Sequence, residues 1–261
     1  DLYMERRTGL RNYKSGYPLT TATYTVSGTS SSGCVGTSSV TVTVNAMPTV
    51  TASATSPLLC NGQCTSLTGG GATSYAWMPG NLSGTTVSVC PTVSTVYTVT
   101  GSLGAGCSNT TTTSVTVNNN PVVTASASPP AICAGQCTNI SASGASVYTW
   151  MPGNLSGSTV SVCPTSTTTY TVSATSANGC SGTASVTVTV NSLPAVTSAV
   201  SPPVICSGQC TNISAAGAST YSWMPGNLSG SNVSVCPVSA TTYTVTGTDG
   251  NGCSNTAAVS V

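Results

Sequence analysis

Residues 133–190 read CAGQCTNISASGASVYTWMPGNLSGSTVSVCPTSTTTYTVSATSANGCSGTASVTVTV. Short runs of Val, Thr, Ile and Tyr alternate apolar with polar residues, the period-two signature of half-buried strands, and clusters of turn residues separate them. Taken with the residues just upstream, the spacing predicts strands at Val122–Ser128, Cys137–Ser143, Ser146–Met151, Thr159–Cys163, Thr168–Ala174 and Ala184–Val190. Between them lie Pro129-Pro130, Met151-Pro152-Gly153-Asn154 and Asn178-Gly179, and Asn-Gly between two such runs is a strong hairpin cue. Nothing in the stretch gives a helix a place to start. Several short strands at this spacing predict a small all-β sandwich of the immunoglobulin-like kind.

The same pattern recurs on both sides. Trp77, Trp150 and Trp223 each open the octapeptide WMPGNLSG, 73 residues apart each time. Cys60, Cys133 and Cys206 keep that period, as do Cys64, Cys137 and Cys210, then Cys90, Cys163 and Cys236, and finally Cys107, Cys180 and Cys253. Three tandem repeats follow, at 47–119, 120–192 and 193–261. Residues 17–46 match only the second half of a repeat, with Cys34 in register with Cys107, and form a partial domain of last strands. Residues 1–16 do not match; they hold most of the charge and form a separate non-repeat segment.

Composition limits the chemistry. There is no histidine in the 261 residues, and from Tyr17 onward Asp249 is the one charged side chain. General acid–base catalysis needs a positioned group with a tunable pKa, and a serine or threonine hydroxyl needs an adjacent base before it attacks anything. No catalytic residue, cofactor site or metal site is therefore expected. Cys-x-x-x-Cys (Cys60 and Cys64) lacks the spacing of zinc or redox pairs, and haem attachment would need a histidine after the second cysteine. The Lys and Arg residues cluster only between Arg6 and Lys14, too short a patch for phosphate binding, so nucleic acid is not an expected partner. No apolar run reaches the roughly 18 residues of a membrane span.

Thirteen cysteines indicate an oxidising compartment, hence secretion. Four per repeat allow three pairings, and sequence does not choose among them. The favoured scheme joins Cys133 to Cys180 and Cys137 to Cys163, with Cys60–Cys107, Cys64–Cys90, Cys206–Cys253 and Cys210–Cys236 as counterparts. Closing a loop of about 48 residues removes roughly 4 kcal/mol of unfolded-chain entropy in the loop-closure model, useful to a domain too small for a large core. The rival scheme pairs Cys107 with Cys133 across a junction. Cys34 has no partner in its own partial domain: either the chain is a piece of a longer one or Cys34 bonds to another molecule.

Two readings compete for each remaining motif. Trp77, Trp150 and Trp223 are either stacking platforms for a ligand or core residues on the third strand, set against an inter-sheet disulfide as in immunoglobulin sandwiches; the core reading is preferred. Tyr97, Tyr170 and Tyr243 read as core or corner residues of the penultimate strand, although the following cysteine stands too far away for a tyrosine corner of the antibody kind. Asn81, Asn154 and Asn227 begin Asn-Leu-Ser, a candidate glycosylation triplet, as Asn139 and Asn212 begin others. Such triplets also arise by chance in Ser/Thr-rich sequence. Threonine runs such as Thr110–Thr113 could carry O-linked sugars. Alternating threonines also raise ice binding, against which Thr on an exposed strand face is ordinary.

The repeat ICxGQCxxISASGASxYxWMPGNLSGxxVSVCPxxxTTYTVTGTxxNGCSxTxSVTVTVN resembles the tandem immunoglobulin-like or PKD-like repeats of long Bacteroidetes cell-surface proteins, gliding-motility adhesins among them. The shared features are a Tyr-x-Trp-x-Pro segment, a TTTYTVT strand and a Gly-Cys hairpin before a valine-rich strand. They cover Tyr17 to Val261. The second cysteine pair and the Met before Pro depart from that pattern. The resemblance implies a secreted, surface-attached spacer or adhesin. Two further functions stand beside it: a self-assembling filament in which the incomplete first domain takes a strand from a neighbour, and a carbohydrate- or ligand-binding module with surface glycans as partners.

Overall fold

The computed structural model describes residues 17–104 and 106–261, and among these the regular elements are all β-strands. The charged segment at 1–16, with its Arg6–Lys14 cluster, lies outside them. The chain divides into two compact units, Asp1–Asn119 and Asn120–Val261.

The first unit opens with a lone hairpin, β1 (Ala22–Thr29) and β2 (Val35–Val42), paired from Ala22↔Val42 to Thr29↔Val35. A sandwich follows. Its strands are β3 (Thr51–Ala54), β4 (Leu58–Cys60), β5 (Thr65–Gly70), β6 (Ser74–Met78), β7 (Leu82–Ser83), β8 (Thr86–Val89), β9 (Thr95–Ser102) and β10 (Ser108–Asn118). One sheet runs β3-β5-β8 and the other β4-β10-β9-β6-β7.

The second unit holds two more sandwiches. In the first of them, β11 (Thr124–Ser128), β13 (Thr138–Ser143) and β16 (Thr159–Val162) face a sheet of β12 (Ala131–Cys133), β18 (Ser181–Asn191), β17 (Thr168–Thr175), β14 (Val147–Met151) and β15 (Leu155–Ser156). In the last, β19 (Thr197–Ser201), β20 (Thr211–Ala216) and β23 (Asn232–Val235) face β22 (Leu228–Ser229), β21 (Thr220–Met224), β24 (Thr242–Thr248) and β25 (Ser254–Ser260). In each sandwich the chain starts in the three-stranded sheet and ends on a long hairpin in the other; the last sandwich crosses, returns and crosses again, and the first two add an early crossing to β4 or β12 and back. Three strands facing a sheet closed by the last two is the immunoglobulin-like arrangement, without its fourth strand in the smaller sheet.

Alternation explains which side chains go in. Along β17, Tyr170, Val172 and Ala174 are buried while Thr169, Thr171 and Ser173 are exposed. They pack on Ile140, Trp150, Val162 and Val188, burying apolar area between two layers. Outside, threonines pair across strands, as Thr169 and Thr187 do with hydroxyl oxygens 2.8 Å apart.

Besides the two-residue strands β7, β15 and β22, the sequence pattern misses the three-residue strands β4 and β12, each running parallel to the end of the last strand of its repeat. Ala131, Ile132 and Cys133 pair with Thr189, Val190 and Asn191, and Leu58–Cys60 with Thr116–Asn118. In the last sandwich the corresponding residues, Val204–Cys206, form no ladder.

Val26 and Val42 of the β1–β2 hairpin correspond to Val172 and Val188, which are fully buried, yet they are 43% and 40% exposed because no second sheet among the described residues covers them.

Candidate functional site

The cysteines are placed by strand register. Because β13 and β16 run antiparallel with Thr138 opposite Val162, the residues just beyond, Cys137 and Cys163, stand opposite each other. They form a cystine with Cα atoms 4.1 Å apart. The same register joins Cys64 to Cys90 and Cys210 to Cys236. Each of these bonds ties neighbouring strands of one sheet at its exposed end. The inter-sheet cystine expected beside the tryptophan is thus corrected, for the core clusters around Trp77, Trp150 and Trp223 contain no cystine.

The other expected pairings are corrected too. Cys133 is bonded not to Cys180 but to Cys253, 120 residues away in the next repeat. Cys206 and Cys107 are free thiols, which removes Cys206–Cys253, Cys60–Cys107 and the rival Cys107–Cys133. Neither Cys60 nor Cys180 is free. The reason is geometric. Cys133 is in register with Asn191 at the far end of β18, whereas Cys180 immediately precedes its first residue, Ser181. Eleven steps along a strand at ~3.3 Å each put the two roughly 35 Å apart, against the 4.4–6.8 Å or so that a cystine spans between Cα atoms. The same register, Cys60 opposite Asn118 with Cys107 before Ser108, rules out the pair in the first repeat.

Cys133 therefore sits at the pole where the chain leaves its repeat, and Cys253 in the turn before the last strand of the following one. That turn is braced by Asp249, whose carboxylate oxygen Oδ1 accepts the backbone N–H of Asn251 (2.9 Å) and of Cys253 (2.8 Å). The one carboxylate of the repeats thus holds a hairpin beside the joint. Cys253 is fully buried, and the Cα atoms of the cystine lie 5.6 Å apart. In the first repeat, Cys107 lies with its sulfur 3.9 Å from the carbonyl of Asn45, and Cys34 is exposed in the turn of the β1–β2 hairpin.

The three tryptophans are fully buried and each indole donates its N–H to a glycine carbonyl at 3.0 Å, Trp77 to Gly84, Trp150 to Gly157 and Trp223 to Gly230. A ring so enclosed offers no face to a ligand. Tyr97, Tyr170 and Tyr243 are also buried, and burial pushes the Tyr97 phenol above its ordinary value of 10.0.

The corner role belongs to different tyrosines, which the sequence reading passed over. The hydroxyl of Tyr148 donates to the carbonyl of Ala145 (2.6 Å) and accepts the N–H of the same residue (2.8 Å). Tyr75 treats Ala72, and Tyr221 treats Ala218, in the same way. The signal was present as Ala-x-x-Tyr at 72–75, 145–148 and 218–221.

Asn81, Asn154 and Asn227 are exposed in the turn between the third strand and its short partner, with φ near +51°. Asn is among the few non-glycine residues that tolerate this left-handed conformation, so the backbone alone accounts for them. Asn139 and Asn212 face outward from β13 and β20.

No family model matches the sequence, and no curated protein matches it. Among solved structures, the chain is similar to a Ca2+-stabilized adhesin of an Antarctic bacterium that binds ice, at 16% identity over 92% of this chain and 80% of that one, TM-score 0.40. It is also similar to an ICAM-5 D1-D4 ectodomain fragment, at 13% identity over 98% and 89%, TM-score 0.44. A third likeness is to titin domains I67–I69, at 14% identity over 82% and 98%, TM-score 0.40. The fold itself is tandem, disulfide-stapled immunoglobulin-like sandwiches, as the strand order states. Among the described residues no helix is long and apolar enough to cross a membrane.

Proposed function

We propose that the chain is a non-catalytic extracellular spacer, the repeat region of a surface adhesin or stalk of the kind its sequence resembles in Bacteroidetes. The observation that carries this reading is the Cys133–Cys253 cystine, which bonds one repeat to the next. A spacer needs fixed separation between successive domains, and between the last two repeats a covalent joint supplies it. Abundant cystines suit an oxidising exterior. The lone carboxylate at Asp249 is spent on a turn, and the buried tryptophans are unfit for sugar stacking. In a quasi-one-dimensional array each repeat interacts chiefly with its neighbours, so length can grow by duplication. Antibody labelling of intact source cells should reach the repeats, and electron microscopy of the purified protein should show dispersed single chains. Confinement of the antigen to lysed cells would overturn the reading.

A second reading, the self-assembling filament, is favoured by the β1–β2 hairpin, whose core-type valines stand uncovered and whose edges are open to another chain's strand. Regular fibres in the same micrographs would decide for it. Exposed Cys34 would then stand where it could bond to a neighbouring molecule.

A further inference from the structure

The Cys133–Cys253 joint has two halves, and the chain carries each half again with its thiol unbonded. We propose that Cys206 of one copy and Cys34 of a second copy form a cystine that repeats this joint between molecules. The inference rests on the filament reading, whose copies it links by a named bond.

The sequence period assigns the halves. Cys206 stands 73 residues after Cys133, and Cys34 three such periods before Cys253. Cys133 and Cys253 are bonded to each other, whereas Cys206 and Cys34 are free and exposed. A free thiol alone names no partner, but here the equivalent sulfurs of the same chain show what each kind bonds.

Local structure presents both sulfurs as the closed joint does. In the turn that ends at Cys253, Asp249 donates its N–H to the Cys253 carbonyl (2.9 Å), accepts the Gly252 N–H at its own carbonyl (3.2 Å) and accepts the Cys253 N–H at its carboxylate (2.8 Å). Ser30 makes the same three bonds in the β1–β2 turn: its N–H to the Cys34 carbonyl (2.8 Å), its carbonyl to the Gly33 N–H (3.0 Å) and its hydroxyl oxygen to the Cys34 N–H (3.1 Å). Gly33 and Gly252 share a left-handed φ, +84° and +81°. At the other half, the Cys206 carbonyl accepts the N–H of Gln209 at 2.9 Å, as that of Cys133 accepts the N–H of Gln136 at 3.0 Å. The third free thiol, Cys107, is partly covered, with its sulfur 3.9 Å from the Asn45 carbonyl. Cys34 is therefore the fourth-position cysteine open to a partner.

Closing the joint covers surface. Bonded Cys253 is fully buried, while Cys34 on the same kind of turn is exposed. Beside Cys206 a groove of about 310 Å³ is bordered by Val204 and Val238, which are 83% and 76% exposed, apolar surface of the sort that marks a contact site. Each copy carries one Cys34 and one Cys206, so a contact between these unlike surfaces can be passed from copy to copy.

The bond needs a two-electron oxidant, and a small-molecule disulfide supplies it. One cysteine loses its proton, and its thiolate attacks that disulfide to form a mixed disulfide and release one small thiolate; the thiolate of the second cysteine then displaces the other. The protons lost by Cys34 and Cys206 end on the two small thiols released. Two protein thiols are oxidised and one disulfide is reduced.

The test uses the full chain with free Cys34 and Cys206 thiols, half of it labelled with heavy nitrogen, incubated with oxidised glutathione and analysed without reductant. Electrophoresis should show a ladder of multiples of the single chain, and chymotryptic digestion should yield Cys34 peptides of one label bonded to Cys206 peptides of the other. Cys34→Ser and Cys206→Ser should each abolish the ladder, an equimolar mixture of the two variants should give a dimer and nothing larger, and Cys107→Ser should leave the ladder unchanged. Circular dichroism of each variant establishes that the sheets are formed. Copies that stay single, Cys34–Cys206 peptides joined only within one label, Cys34 bonded to Cys34 or to Cys107, or a ladder that survives in either single variant would each overturn the proposal. Micrographs of the Cys34→Ser protein judge the filament reading apart from this bond: fibres there, with no Cys34–Cys206 peptide from wild type, would sink the bond and keep the filament.

Discussion

Replacing Tyr148 by Phe separates two tyrosines that look alike in sequence. The substitution keeps the ring and removes one oxygen, which in the folded chain donates to the Ala145 carbonyl at 2.6 Å and accepts its N–H at 2.8 Å. Two backbone groups at the turn between β13 and β14 lose their partner. Leaving a partly buried donor or acceptor unpaired costs about 1–3 kcal/mol, which is roughly 5- to 150-fold in an opening equilibrium. Hydrogen exchange followed by mass spectrometry, on peptides covering residues 138–151, reads that change as faster exchange under conditions where reclosing outpaces exchange. Tyr170→Phe is the matched comparison: its ring is as buried, but its hydroxyl has no hydrogen-bond partner among the described residues, so exchange should shift by less than about threefold, within the half kcal/mol or so of a neutral change. Equal effects from the two substitutions, or no effect from Tyr148→Phe, would refute the assignment of the corner to the third strand.

Other outcomes follow from single features. Trp150→Ala removes a fully buried indole and the partner of the Gly157 carbonyl; a loss of about 3–5 kcal/mol should leave the second repeat largely unfolded, seen as loss of protection across β13–β18 while the first repeat stays protected. Gly144 has φ +99° and its added Cβ would collide with the Val122 carbonyl, so Gly144→Ala should destabilise the second repeat by more than ~1 kcal/mol, whereas Gly179→Ala, with open space around it but φ +80°, should cost less; denaturant midpoints compare them. Tyr97 is held protonated by burial. Its folded pKa exceeds the unfolded value, so its contribution is fully present below about pH 10 and is lost as pH rises through the raised value; the wild-type denaturant midpoint should fall as pH rises above about 10, and Tyr97→Phe should flatten that fall.

Much of the sandwich was legible because its information is local. Alternation along Thr168–Ala174 and Ala184–Val190, with Asn178-Gly179 between, describes β17 and β18 to within a few residues, and the repetition of WMPGNLSG marks where each core begins. What escaped is non-local. Strand β12 is three residues long and owes its existence to a parallel ladder with Thr189–Asn191, more than fifty residues away; no period-two pattern can show in three residues. The in-sheet pairs Cys64–Cys90, Cys137–Cys163 and Cys210–Cys236 are those expected, but the other half of the cystine map failed for the same reason. Counting cysteines within a repeat treats the repeat as closed, but Cys133 and Cys180 are placed at opposite ends of one long strand, and the nearest sulfur to Cys133 belongs to the following repeat. The corner tyrosines were not legible because a corner is made by a hydroxyl folding back on its own turn: Tyr75, Tyr148 and Tyr221 differ from Tyr97, Tyr170 and Tyr243 in standing three residues after Ala72, Ala145 and Ala218, a distinction that the period-two pattern does not carry.

The threonine pairs that line the outside of the long hairpins bear on where such a molecule can work. Thr169 with Thr187 and Thr242 with Ser260 join neutral hydroxyls across exposed strands, and Asp249 is the sole charged side chain among the described residues. Ions weaken attraction between exposed charges beyond about 8–10 Å at ordinary ionic strength, but here there is almost nothing for them to weaken. A coat of hydroxyls keeps the same charge at pH 5 as at pH 9 and gives salt almost no charges to screen, so within that range surface electrostatics contribute little that a change of medium could remove.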